Sequence, residues 1–188
     1  VFAYDGSPNT DDDGNAITPS ARLTRWRDNE IKRFAQATDK GMTAMGQNRV
    51  AEALKYSREA IRLQDREAQF HELAGAAQLR LDQPAEAVKS LNRAVALNQS
   101  YYRPYLTRGM LHLKRGNLDV AKQDLSVANK LLPTADATFG LGEIAQREGD
   151  VETALRYYEP VARSQSPLAP EARNRIGRLN PGSGYQRQ

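Results

Sequence analysis

Gly75…Ala87…Leu91…Ala94 is followed by Gly109…Ala121…Leu125…Ala128, and Pro133 closes the second block. Each residue of the second block stands 34 positions after its counterpart. A fixed period of that length marks a chain built from repeated supersecondary units. One period back lie Gly41, Ala53 and Ala60; 33 residues forward lie Gly142 and Ala154, with Val161 where the last Ala would fall. The chain reads as four copies, about 34–67, 68–101, 102–134 and 135–168. Two antiparallel helices approach to about 8 Å only where small side chains meet. Gly41, Gly75, Gly109 and Gly142 on first helices are therefore expected to face Ala53, Ala87, Ala121 and Ala154 on second helices.

These residues at this period resemble the tetratricopeptide repeat (TPR) family from Phe34 to about Leu168. The first-helix aromatic usual in that family is replaced by Ala37, His71, Tyr105 and Thr138, and the terminal Pro survives only as Pro133. The resemblance implies an all-α TPR superhelix, a right-handed α-solenoid of antiparallel helix pairs. An N-terminal arm and helix and a C-terminal capping helix complete the expected architecture.

Working outward, residues 1–19 read as an irregular arm, with turn chemistry at Gly6-Ser7-Pro8-Asn9 and Asp13-Gly14-Asn15. Asn9 to Gly14 imitates the start of a calcium loop, but the twelfth place, which needs a bidentate Glu, holds Ser20. Phe2 and Tyr4 are expected to dock on a neighbouring surface. Thr18-Pro19 opens a helix, with an N-cap hydroxyl followed by a first-turn Pro. That helix passes through Leu23, Trp26, Ile31 and Phe34 to about Met45, and Trp26 is expected to pack onto the start of the solenoid. Further helices are predicted at 50–63, 68–81, 85–97, 103–114, 118–131, 135–147 and 151–162, with Gly116 and Gly149 in left-handed turns. A cap follows at 169–180, buried through Ala172, Ile176 and Leu179 with Arg173, Arg175 and Arg178 facing water. The repeat domain spans 20–180 and the tail 181–188.

The 188 residues are 39% hydrophobic and 27% charged, which suits one globular or repeat domain rather than a disordered chain. A net charge of +4 spread along the helices gives little reason to expect nucleic acid. With no cysteine there is no disulfide, thiol nucleophile or Cys-ligated zinc. No apolar run approaches the ~18 residues of a membrane span. The initial Val and the missing signal-like stretch suggest a fragment of a longer protein.

Catalysis finds no constellation. His71-Glu72-Leu73-Ala74-Gly75 begins like the HExxH of a zinc peptidase, but Gly75 stands where the second His must be. His112 is a helix-packing residue by position, and no GxSxG, P-loop or dinucleotide fingerprint occurs. This stretch of chain is therefore read as non-enzymatic, with no cofactor of its own.

By the TPR resemblance, first helices line a concave groove. Its residues would be Ala35, Thr38, Met42 and Met45; Gln69, Glu72, Ala76 and Leu79; Arg103, Leu106, Met110 and Leu113; and Asp136, Phe139, Glu143 and Gln146. Arg80, Lys114 and Arg147 would form one rim. The Met-rich middle suits an irregular polypeptide partner. The Lys/Asn clamp of chaperone-binding TPRs is absent: one frame offers Thr38, Met42, Leu73, Arg103 and Thr107, the other Glu72, Ala76, Thr107, Asp136 and Gly140.

Asn98 to Tyr102, Tyr105 to Gly109, Leu131 to Ala135 and Gly140-Leu141-Gly142 are also similar to the C-terminal TPR region of BepA-like bacterial zinc metalloproteases. That resemblance implies a periplasmic or envelope location and an upstream domain holding zinc. The reading is a protein-interaction module, the non-catalytic C-terminal domain of such a protease. The alternative is a stand-alone TPR adaptor in envelope assembly or secretion.

Overall fold

A computed structural model describes residues 18–181. Along them run α1 (Pro19–Gly46), α2 (Val50–Leu63), α3 (Ala68–Arg80), α4 (Pro84–Leu97), α5 (Tyr102–Lys114), α6 (Leu118–Leu131), α7 (Ala135–Glu148), α8 (Val151–Ala162) and α9 (Ala169–Leu179). Among the described residues there is no strand, and no helix is long and apolar enough to cross a membrane. Residues 1–17 of the expected arm, with the Asn9–Gly14 stretch, and all but the first residue of the tail lie outside the described residues; Thr18 and Pro19, the last two residues of the expected arm, already open α1.

Local chemistry sets the helix ends. Thr18 Oγ1 accepts from Ala21 N at 3.3 Å to open α1, and Thr134 Oγ1 accepts from Ala137 N at 3.2 Å to open α7. Gly116 (φ +79°) and Gly149 (φ +82°) are left-handed as expected. The same register position in the first two repeats is held by Asn48 (φ +59°) and Asp82 (φ +55°). Asn and Asp are the side-chain-bearing residues that visit this region most readily.

Packing follows chain order. Each helix packs on the next, and α1 also touches α3, α3 touches α5 and α5 touches α7. The even helices make no comparable contact with one another. Odd helices thus stand closer together than even ones, and the stack curves with α1, α3, α5 and α7 on its inner wall.

The repeated glycines sit at the tightest crossings, but their partners differ from the expectation. A Cβ on Gly75 would come within 2.8 Å of Leu91 Cγ; on Gly109, 2.8 Å from Leu125 Cγ; on Gly142, 2.7 Å from Tyr158 Cε1. The opposing residue lies 16 positions on, one helical turn beyond the Ala predicted. Ala53, Ala87, Ala121 and Ala154 are fully buried in the same crossings. The antiparallel second helix brings its next turn to the glycine, and a large side chain fills the space that the missing Cβ leaves.

Two further expectations are corrected. Trp26 does not pack on the solenoid: it is 45% exposed, and contact begins at Phe34, edge-on to Phe70 with 5.3 Å between ring centroids. Nor does Arg175 simply face water. It donates to Glu171 Oε1 at 2.7 Å and Gln146 Oε1 at 3.2 Å and lies 3.5 Å from Glu143. Arg173 likewise donates to the Ala162 carbonyl at 2.7 Å. Ala172 and Ile176 are buried, so α9 packs on α8 as the first helix of a fifth unit would.

Candidate partner-binding groove

The inner wall places the expected groove residues at very different depths. Met42 on α1 is 54% exposed. Met45, Ala76, Leu79, Leu106 and Met110 are half-buried, forming an apolar strip across α1, α3 and α5. Leu106 and Met110 also lean on the core around Leu125, Leu141 and Ile144. A Cβ on Gly140 would lie 3.2 Å from Met110 Sδ, so α7 closes over that methionine.

Three expected groove residues are not surface. Leu113 (2% exposed) belongs to the core with Ala121, Leu125 and Ile144. Phe139 (6% exposed) is covered by Tyr158, its ring 5.1 Å away, and by the cap residues Ala172 and Ile176. The register positions of Leu113 and Phe139, half-buried on α1 at Met45 and Thr38, are closed on α5 and α7 by the next unit of the stack. Glu143 and Gln146, also assigned to the groove, are engaged by Arg175 of α9.

Glu72 is the third, with 7% exposure between α3 and α5. Thr107 Oγ1 stands 3.4 Å and Tyr101 Oη 3.5 Å from its carboxylate, both long for hydrogen bonds. Burial raises the Glu72 carboxyl above the ordinary carboxylate range, and the nearby Arg103 guanidinium offsets part of that shift. Burial, with the neighbouring Glu72 charge, pushes the Tyr101 hydroxyl up to about 12.

The rim cations differ too. Arg147 donates to the Leu113 carbonyl at 3.1 Å and Arg80 to Asn48 Oδ1 at 3.4 Å. Lys114 is exposed and makes no ion pair among the described residues. Arg103 is exposed near Glu72. Beside Gln69 and Tyr101 an open depression of about 320 Å³ is lined mainly by polar and charged side chains. It lacks the apolar lining that small-molecule sites use.

His71 Nε2 lies 2.9 Å from the Asp65 carbonyl, a donor position that ties the start of α3 to the end of α2. Among the described residues no three His, Cys, Asp or Glu side chains gather as a metal would require. Sequence reading missed the strongest polar link, in the third repeat. Arg108 donates from Nε and Nη2 to the buried Asp124 carboxylate at 2.7 and 2.6 Å, and from Nη1 to Asn92 Oδ1 at 2.5 Å. The pair is 16 residues apart, the offset that also joins Gly109 to Leu125, so the register held a signal for it.

A tetratricopeptide repeat family model matches residues 38–102, 106–155 and 140–180. The chain belongs to the tetratricopeptide repeat family. The last matched segment includes α9, which agrees with its packing as a further TPR first helix. No curated protein matches the chain. Among solved structures, a MamA protein aligns with 21% identity and a TM-score of 0.66, covering 82% of this chain and 84% of its own. PilF of Pseudomonas aeruginosa gives 17% identity and 0.70 over 80% and 69%. The first TPR of Spaghetti (RPAP3), solved bound to the HSP90 peptide SRMEEVD, gives 27% and 0.59 over 63% and 94%. This chain has the TPR-type solenoid of these neighbours, a fold that serves protein–protein interaction.

Proposed function

We propose that this TPR domain binds a polypeptide segment along its inner wall, as the non-catalytic C-terminal part of an envelope zinc metalloprotease. The observation that carries the binding reading is the apolar strip from the exposed Met42 through Ala76 to Met110, flanked by Arg103, Arg80 and Lys114. A methionine-rich strip repacks around irregular partners, and flanking cations favour a segment with acidic residues. The RPAP3 neighbour is a TPR solved with a peptide; the chaperone clamp residues are missing here, so the preferred peptide differs. The protease parent rests on the resemblance of the Asn98–Tyr102, Tyr105–Gly109 and Leu131–Ala135 stretches. Zinc would belong to an upstream domain in the periplasm or envelope.

Met42 is the cleanest probe, because Leu106 and Met110 also brace the core. A photo-crosslinking residue at Met42 should capture a polypeptide that the same residue at Val127, exposed on α6 of the outer wall, does not. Equal capture at both, or none at Met42, would remove the groove. The parent is tested separately by isolating the native protein with an antibody. A chain much heavier than 20.9 kDa that holds zinc and cleaves casein supports the protease. A chain near that mass without zinc supports the stand-alone adaptor.

A further inference from the structure

The first half of α1 projects beyond the solenoid. From Ser20 to Arg33 every residue is exposed except the half-buried Glu30, and at 1.5 Å per residue the overhang is about 22 Å long. Its surface is ordered in pattern. Leu23, Trp26, Glu30, Phe34, Ala37, Gly41 and Ala44 follow one another at three- and four-residue steps, so they share one helix face. Further along, that face is buried: Ala37, Gly41 and Ala44 pack against the second half of the first repeat. On the overhang it carries Leu23 (51% exposed) and Trp26 (45%) with nothing opposite them among the described residues, and Ile31 (54%) lies to one side.

The charges around this face select its occupant. Residues 19–33 hold five basic side chains (Arg22, Arg25, Arg27, Lys32, Arg33) and two acidic ones (Asp28, Glu30), a net +3. Arg22 and Arg33 border the face on one side and Arg27 on the other; Arg33 is paired with Glu30 of the same face at 2.8 Å, while Arg22 and Arg27 make no ion pair among the described residues. Residues 1–17 hold Asp5, Asp11, Asp12 and Asp13 and no basic side chain, a net −4, together with Phe2, Tyr4 and Ile17. The two stretches are joined at the start of the helix. At full extension residues 2–17 span about 50 Å, more than the overhang, so the tether is long enough for Phe2 and Tyr4 to reach Leu23 and Trp26. A second copy of α1 would instead set arginine borders against arginine borders.

We propose that the apolar, arginine-bordered overhang of α1 is the docking surface for the chain's own acidic residues 1–17, with Phe2 and Tyr4 as anchors beside Leu23 and Trp26. Trp26 is the chain's one tryptophan, so the contact has a private reporter. In the 188-residue chain its emission should be blue-shifted and shielded from acrylamide at every protein concentration. Phe2→Ser with Tyr4→Ser should raise the quenching constant about twofold, since the aromatic cover is what excludes water. Salt at about 0.5 M should weaken the shielding by screening the charges. A thermal melt confirms that the repeats stay folded in the variant. Quenching at the level of a free tryptophan in the unmodified chain overturns the proposal, as does shielding that survives the double variant. Shielding that grows with concentration as a dimer elutes assigns the face to a second copy, and shielding that needs phosphatidylglycerol vesicles assigns it to a lipid surface; either result also overturns it.

Discussion

At Gly75 two effects of known size oppose each other. Alanine would add about 1 kcal/mol of helix propensity in mid-helix. Its Cβ would also sit 2.8–2.9 Å from the Cγ and Cδ2 of Leu91, a fully buried residue with no room to retreat. Overpacking of that kind costs about 1–3 kcal/mol. Gly75→Ala should therefore lower the melting temperature by about 2–4 °C. At Gly41 the nearest atom is Leu73 Cδ2 at 3.3 Å, the far end of a movable side chain. There propensity wins, and Gly41→Ala should leave the melting temperature unchanged or slightly raised. Glu72 gives a residue-scale test with pH. Its carboxyl is raised in the folded state, so the folded chain holds the proton more tightly than the unfolded chain does. Stability then falls as pH rises from the unfolded value of 4.5 through the folded one, and the cost is complete above it. Glu72→Gln should raise the melting temperature at pH 7.5, and the gain should vanish near pH 4. A gain that persists at pH 4 would mean that charge burial is not its cause.

The helix elements were legible in the sequence because their signals are local. Left-handed glycines and apolar residues at helical steps delimit α6 and α8 to the residue, and apolar spacing alone does so for α2. What covers each helix was less legible. Leu113 and Phe139 repeat the half-buried positions of Met45 and Thr38, yet the next unit buries them fully, and no periodicity within one helix reports that. Trp26 and Arg175 failed for the converse reason, since exposure at the two ends depends on what stands beyond them. The Arg108–Asp124–Asn92 link joins α5, α6 and α4 and departs from the repeat, where the equivalent places hold Ala74 and Ser90 or Leu141 and Tyr157. Removing one partner of a buried charged pair is costly because the other is stranded. Asp124→Ala should cost about 2–4 kcal/mol in urea unfolding, within the range for such pairs and below its top because the Arg108 side chain keeps 20% exposure. Replacing both residues with leucine should cost less than the single change, and a double variant as unstable as the single one would show that the pair specifies more than its own satisfaction.

At the scale of the molecule, stability in a stack whose units touch mainly their neighbours is close to a sum of unit and interface terms. The two ends are unequal. α9 is fastened through Arg173 to the Ala162 carbonyl and through Arg175 to Gln146 and Glu143. The first repeat has the slackest glycine crossing: a Cβ on Gly41 would meet Leu73 Cδ2 at 3.3 Å and Tyr56 Cβ at 3.4 Å, where Gly75, Gly109 and Gly142 would meet their neighbours at 2.7–2.8 Å. Unfolding thus has a direction: the chain should unzip from α1 and α2 toward α9, although α1 is its longest helix. Under native conditions, amide hydrogens of residues 34–63 should exchange before those of 135–179. A protease in dilute amounts should leave a carboxy-terminal core as its lasting product, so that loss of the first repeat precedes loss of the fold.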